Sequence, residues 1–499
     1  MTTTATRAGM LSVVFLTLGV AAPTVAQSAI TPKRQTAQQD GRAAWPGIPG
    51  PQARMPRSFP LVVGAPVLGP FTTRRSVTTA RDGLSLLAAS LNAGRAVTYV
   101  EESDDDADGT VDLRYRRSEE FDQHGNLVHL VSENDYDADG VFDGRYTDTR
   151  VYDQRGNLVL AVSEDSFYHP GRTDRATTTA LYDQRGNPVR FVNEVDHDAD
   201  GTVEFRATAT SEYDQRGNPT QTVSETDSGA DGTIDFRVTS TFAYDQRGDG
   251  VHQVVERDAG ADGTIDSRLT YTFAYDQRGN VVQEVDEEDS DADGTTDSRV
   301  TYTSAYDQHG NVTHTEYEVD DGGDGTIDYL ETATSEYDQR GNLVHWIFEY
   351  DFPADGTIDA RSMISAEYDP RGNLVRQVAE DDYTADGTID SRWMVSFEYD
   401  QRGNRVRQLS EYDSGANGTI DGRSTTTSAY DQRGNIVHAM VESDGGADGT
   451  IEERSTSTFA YDQHGNLVLR VNESDHGADG TIDARWTSSI EYEGSPRRP

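Results

Sequence analysis

Residues 275–306 read YDQRGNVVQEVDEEDSDADGTTDSRVTYTSAY. The hexad Tyr275–Asn280 is a turn signal, with Gly and Asn supplying conformations that other residues resist. A short run follows from Val281, then an acidic stretch from Asp289 that ends in Asp-Gly, then a second run rich in Thr, Tyr and Val. β-Branched and aromatic residues bounded by Gly turns, without helical periodicity, predict strand–turn–strand–turn. The hexad or a near copy begins at Phe121, Tyr152, Tyr182, Tyr213, Tyr244, Tyr275, Tyr306, Tyr337, Tyr368, Tyr399, Tyr430 and Tyr461, at a spacing of 31 residues with a single step of 30. Tyr492 falls in the same register, and Gly94 and Val100 keep it at the front without the Tyr. Such self-similarity means one supersecondary unit stacked on its neighbours. The expectation is an all-β array of tandem hairpins, about 24 strands in one long antiparallel sheet that twists or spirals. The alternative is a six-bladed β-propeller made of paired hairpins.

Glu stands two residues before each acidic loop, as at Glu133, Glu194 and Glu256, and Arg stands beyond it, as at Arg145, Arg206 and Arg268. A hairpin centred on the loop brings Glu256 and Arg268 side by side as a cross-strand ion pair. Leu330 breaks the series.

The acidic loop carries the chemistry. Asp104, Asp106, Asp108 and Asp112 are spaced D-x-D-x-D-G-x-x-D, and Asp135, Asp137, Asp139 and Asp143 repeat the pattern. So do Asp289, Asp291, Asp293 and Asp297, while Asp196, Asp198, Asp200 and Glu204 end in Glu. Carboxylates at alternating positions, with Gly at the sharp turn, can cage one hard cation, and Ca2+ takes six to eight oxygens. Elsewhere the loop thins, as at Asp258, Asp262 and Asp266, and the loop containing Tyr168 and Pro170 has lost the pattern. A plain reading also exists, in which Asp-Gly makes a tight turn and the other acids keep an edge soluble.

Composition sets the outer limits. The chain has 499 residues, no Cys and a formal net charge of −45. Polyanions repel, which argues against nucleic acid as a partner, and without Cys there is no disulfide framework or thiolate zinc site. Residues 1–26 read as a secretory signal peptide, with Arg7 ahead of the apolar run Met10–Val20. Residues 27–90 form a Pro-rich basic linker, and 91–499 form the repeat array with a degenerate cap at its start. Beyond the leader no apolar run of 18 residues occurs, so no transmembrane segment is expected in the mature chain.

The Tyr-Asp-x-x-Gly-Asn hexad followed by an apolar pair resembles the YD-repeat (Rhs) family, and the likeness spans residues of about 91–499. It implies β-hairpins in a spiralling sheet and an extracellular life. The period is longer than that family's usual unit, and its C-terminal core and toxin sequence are absent. The acidic loops resemble those of EF-hands, but strands flank them and Val300 stands where a bidentate Glu would be. They are closer to the calcium loops of integrin-type propeller blades and thrombospondin type-3 repeats. Catalysis needs one asymmetric constellation, and the chain instead repeats the same acids, so no enzyme is expected. The expectation is a secreted or cell-surface calcium-binding protein with a structural or adhesive role. The alternative is a calcium-dependent carbohydrate-binding module for surface glycans or other cell-envelope components.

Overall fold

A computed structural model describes residues 96–166 and 173–492. The expected signal peptide and linker lie outside the described residues. The array holds 26 strands, from β1 (Ala96–Asp104) and β2 (Leu113–Phe121) to β26 (Ala484–Tyr492). Each strand pairs antiparallel with the next, and β26 pairs back onto β1 from Asp104↔Arg485 to Ala96↔Tyr492. The sheet is therefore a closed barrel of thirteen hairpins. This corrects the expected open or spiralling sheet and the six-bladed propeller, and with them the spiralling YD-repeat architecture.

The reason for closure lies in the register. Take β10 (Phe236–Tyr244), β11 (Gly250–Ala259), β12 (Ser267–Tyr275) and β13 (Val281–Asp289). Arg268 of β12 faces Glu256 on one side and Asp289 on the other. The residue one repeat after Glu256 is Glu287, so pairing climbs two residues per hairpin. Thirteen such steps give a shear of about 26 residues, and equal shear and strand number correspond to a tilt of roughly 36°. A cylinder of this kind has a backbone radius of about 23 Å and a height of about 24 Å. The seam repeats the pairing of an ordinary turn-linked pair, since Arg268↔Asp289 to Tyr275↔Val281 matches Arg485↔Asp104 to Tyr492↔Ala96.

The hexad builds one rim. Asp276 Oδ1 accepts from the backbone N–H groups of Arg278 (2.7 Å) and Asn280 (2.9 Å), and its Oδ2 accepts from Asn280 Nδ2 (2.9 Å). Gly279 adopts φ +87°, which a side chain would strain. Tyr275 Oη donates to the carbonyl of Gly250 at the start of the same hairpin, just after the preceding hexad turn (2.7 Å), and Arg278 Nη1 donates to the carbonyl of Gln308 in the next turn (2.7 Å). Tyr thus ties the end of each hairpin back to its beginning and Arg ties each turn to the next, which gives the Tyr row a structural role.

Burial separates the two faces of the wall. In β10 Val238, Ser240 and Phe242 are buried, whereas on the alternate face Thr239 is half-buried and Thr241 and Ala243 are exposed. Inward side chains converge in a cylinder and outward ones splay, so the covered set lines the inside. The outer wall is the repetitive one. Its Arg–Glu pairs recur from Arg114–Glu102 (2.9 Å) through Arg268–Glu256 (3.0 Å) to Arg485–Glu473 (2.7 Å). Leu330 faces Glu318 in the hairpin that lacks the pair. Beyond this ring the same outward position holds Val131, Val162, Val192, Val223, Val254 and Val285, with Glu316 as an exception, flanked by Thr270 and Thr272 or their equivalents. The inner wall varies from hairpin to hairpin.

Candidate functional site

The acidic loops form the rim opposite the hexad turns. In each, the leading Asp closes a strand and folds against the loop backbone. Asp104, Asp135, Asp196, Asp258 and Asp289 are all buried, Asp135 completely. One oxygen of each accepts from the Gly at the sixth position, at 3.0 Å in the Gly140–Asp135 case. Ala at the fourth position takes a left-handed conformation, with φ 50° at Ala138, before a Gly at φ 91°. These two residues fold the loop back so that its alternate side chains converge.

The other acids also help to hold the turn. Third-position Asp106, Asp137, Asp198 and Asp291 each accept from the backbone N–H two residues on, at 3.2–3.4 Å. Fifth-position Asp108, Asp139, Asp200, Asp262 and Asp293 accept from the seventh residue at 2.7–2.9 Å. Hydrogen bonds from Thr110 and Thr202 hold Asp108 and Asp200 below the ordinary carboxylate range. Ninth-position Asp112, Asp143, Glu204, Asp266 and Asp297 reach back to the second residue's N–H at 2.6–2.8 Å.

The structure gathers some predicted ligands and leaves others apart. Asp196, Asp198, Asp200 and Glu204 bring one oxygen each within 4.8 Å of one another. Three of four do so in the sets Asp104–Asp106–Asp108, Asp135–Asp137–Asp143 and Asp289–Asp291–Asp297, which leave out Asp112, Asp139 and Asp293. Among the described residues Asp258, Asp262 and Asp266 form no such set, whereas Asp444, Asp448 and Glu452 do. Sequence reasoning missed that last set. Its signal was the ninth-position Glu, whose extra methylene reaches the centre of a thinned loop.

A second feature lies on the inner wall. β14 (Ser298–Tyr306), β15 (Val312–Asp321) and β16 (Tyr329–Tyr337) continue from β13. Glu284 lies opposite both Phe273 and Tyr302, Asp286 lies opposite Tyr271, and Tyr317 lies opposite Glu331. Tyr302 and Tyr317 pack with ring centroids 4.6 Å apart, and Trp346 stacks on Phe348 at 5.5 Å. This arc presents carboxylates between aromatic rings to the bore, a surface that attracts cations.

No family model and no curated protein matches the sequence. The YD-repeat resemblance thus gains no support. Among solved structures, a porin-like protein from Bacteroides vulgatus ATCC 8482 aligns at 10% identity with TM-score 0.21, covering 45% of this chain and 95% of that one. A porin-like protein from Bacteroides uniformis ATCC 8492 aligns at 12% identity with TM-score 0.14, covering 67% and 96%. Pseudomonas aeruginosa OpdK with vanillate gives 8% identity and TM-score 0.13, covering 79% and 96%. Superpositions at this level carry no argument, and the barrel rests on its own strand pairing.

That pairing corrects two further expectations. The structural or adhesive role of a secreted calcium-binding protein, and its carbohydrate-binding alternative, supposed a sheet with open faces. The chain instead encloses a bore. The absence of a transmembrane segment was inferred from the lack of an apolar helix, but closed barrels cross membranes with strands of about nine to eleven residues. Most strands here have nine.

Proposed function

We propose that the protein is a wide barrel of the cell envelope whose water-filled bore passes hydrated solutes, cations ahead of anions. Closure of β26 on β1 is the observation that carries the reading. Large barrels enclose aqueous channels, as 16–18-stranded porins do, and 26 strands leave a bore with a radius of roughly 15 Å after side chains are allowed for. Glu284, Asp286 and Glu331 place carboxyl groups on one arc of that lining, where ionised groups concentrate cations. The leader-like residues 1–26 support export.

The outer wall is what lipid contact would strain most. Its uncharged Val and Thr band is about 10 Å tall, against about 25 Å in outer-membrane barrels. The test is purified barrel added to a planar lipid bilayer under a salt gradient. Large conductance steps with a reversal potential of cation sign are expected. Protein that stays in solution and yields no steps at any concentration overturns passage across lipid.

A further inference from the structure

The acidic rim carries an inference independent of solute passage. Three leading aspartates combine two properties that the other loops show only separately. Asp104, Asp135 and Asp289 each belong to a set of three carboxylates whose oxygens lie within 4.8 Å. Each also has a buried Oδ1 without a hydrogen-bond partner. Asp196 is gathered, but its Oδ1 accepts from Asp200 N–H (3.0 Å). Asp258 and Asp475 leave Oδ1 unpartnered, but no gathered set surrounds them.

A buried anionic oxygen without a partner is costly, and two further carboxylates at short range raise that cost. The nearest cation does not relieve it, since Arg114 Nη1 stands 3.8 Å from the other oxygen, Asp135 Oδ2. In the Asp135 loop, Oδ2 is committed to Gly140 N–H, so Oδ1 is left as a free donor to a metal, beside Asp137 and Asp143. Such an oxygen-only donor set suits a hard cation that tolerates irregular coordination and accepts water in its remaining places.

We propose that the loops led by Asp104, Asp135 and Asp289 each bind one divalent cation of the size of Ca2+. Few protein charges and an exposed rim place the affinity near ~10⁻⁴–10⁻³ M. The test is calorimetric titration of the full chain, stripped with chelator, using CaCl2 as the probe. Three equivalents are expected. Asp137→Asn changes an exposed third-position ligand and removes one of them, while the far-ultraviolet spectrum stays that of the parent. Asp351→Asn serves as the control, because its Oδ1 already accepts from Asp355 N–H (3.1 Å), and it leaves the count unchanged. No heat beyond dilution up to several millimolar calcium overturns the proposal, as does an equal loss from Asp137→Asn and Asp351→Asn. The titration is done free of lipid, so its outcome is separate from that of the bilayer experiment.

Discussion

At one rim of the barrel Asp276 has both carboxylate oxygens engaged by its own turn, two backbone N–H groups on one and the Asn280 amide on the other. At the opposite rim Asp135 uses one oxygen on Gly140 and leaves the other buried and unpartnered. The same side chain closes a polar network in the first case and leaves it unfinished in the second. A finished network is a structural device that repeats with little change, as the hexad does. An unfinished one is a demand for a ligand, and its strength depends on which neighbours converge.

The largest expected effect breaks the finished rim. Side-chain hydrogen bonds from Asn157 and Asn342 hold Asp153 and Asp338 below the ordinary carboxylate range. At Asp307, desolvation is the largest single influence and acts upward, but the bonds from Asn311 and His309 together prevail and bring it to about 2. Values depressed on folding contribute stability above the unfolded value, near pH 4, and lose it as pH falls through the folded values. Because this turn recurs around the ring, thermal melts should show a steep cooperative loss of stability between about pH 4 and pH 2. A flat profile would show that the turn network contributes little.

Calcium probes the unfinished rim. At free calcium ten times the dissociation constant, each occupied site adds about 1.4 kcal/mol, so three sites add about 4 kcal/mol. The melting temperature of the chelator-stripped chain should therefore rise with added calcium, and magnesium should raise it less. Tyr275→Phe sharpens the contrast at the other rim by removing the bond to the Gly250 carbonyl. A loss of about 0.5–1.5 kcal/mol by urea unfolding is expected. The smallest effect is on the wall between the rims. Arg268→Leu copies the natural Leu330, and an ion pair with both partners about a third exposed should cost less than about 0.5 kcal/mol.

The local units were legible in the sequence. The spacing of Glu256 and Arg268 about the loop sets them opposite each other, and the pairing places them there. Closure was not, because it depends on a two-residue climb that arises between hairpins, at Arg268↔Asp289, and no single repeat displays it. Tyr492, in register with the hexads, is the last residue of the strand that meets β1, a pairing that the repeat spacing does not announce. At the acidic rim the ligand positions were legible from alternation, but convergence was not. Asp139 and Asp293 satisfy the pattern yet lie outside the gathered sets, and Glu452 reaches where an Asp would fall short.

The matching register at the seam has a consequence for how such a molecule grows. Where β26 meets β1 as any turn-linked neighbours meet, the ring has no privileged first unit, and a gene encoding one more 31-residue copy could enlarge it without a new junction. Each added copy would widen the circumference by about one-thirteenth while leaving the tilt unaltered. Aperture would then be a matter of copy number, tuned in small steps by tandem duplication and loss.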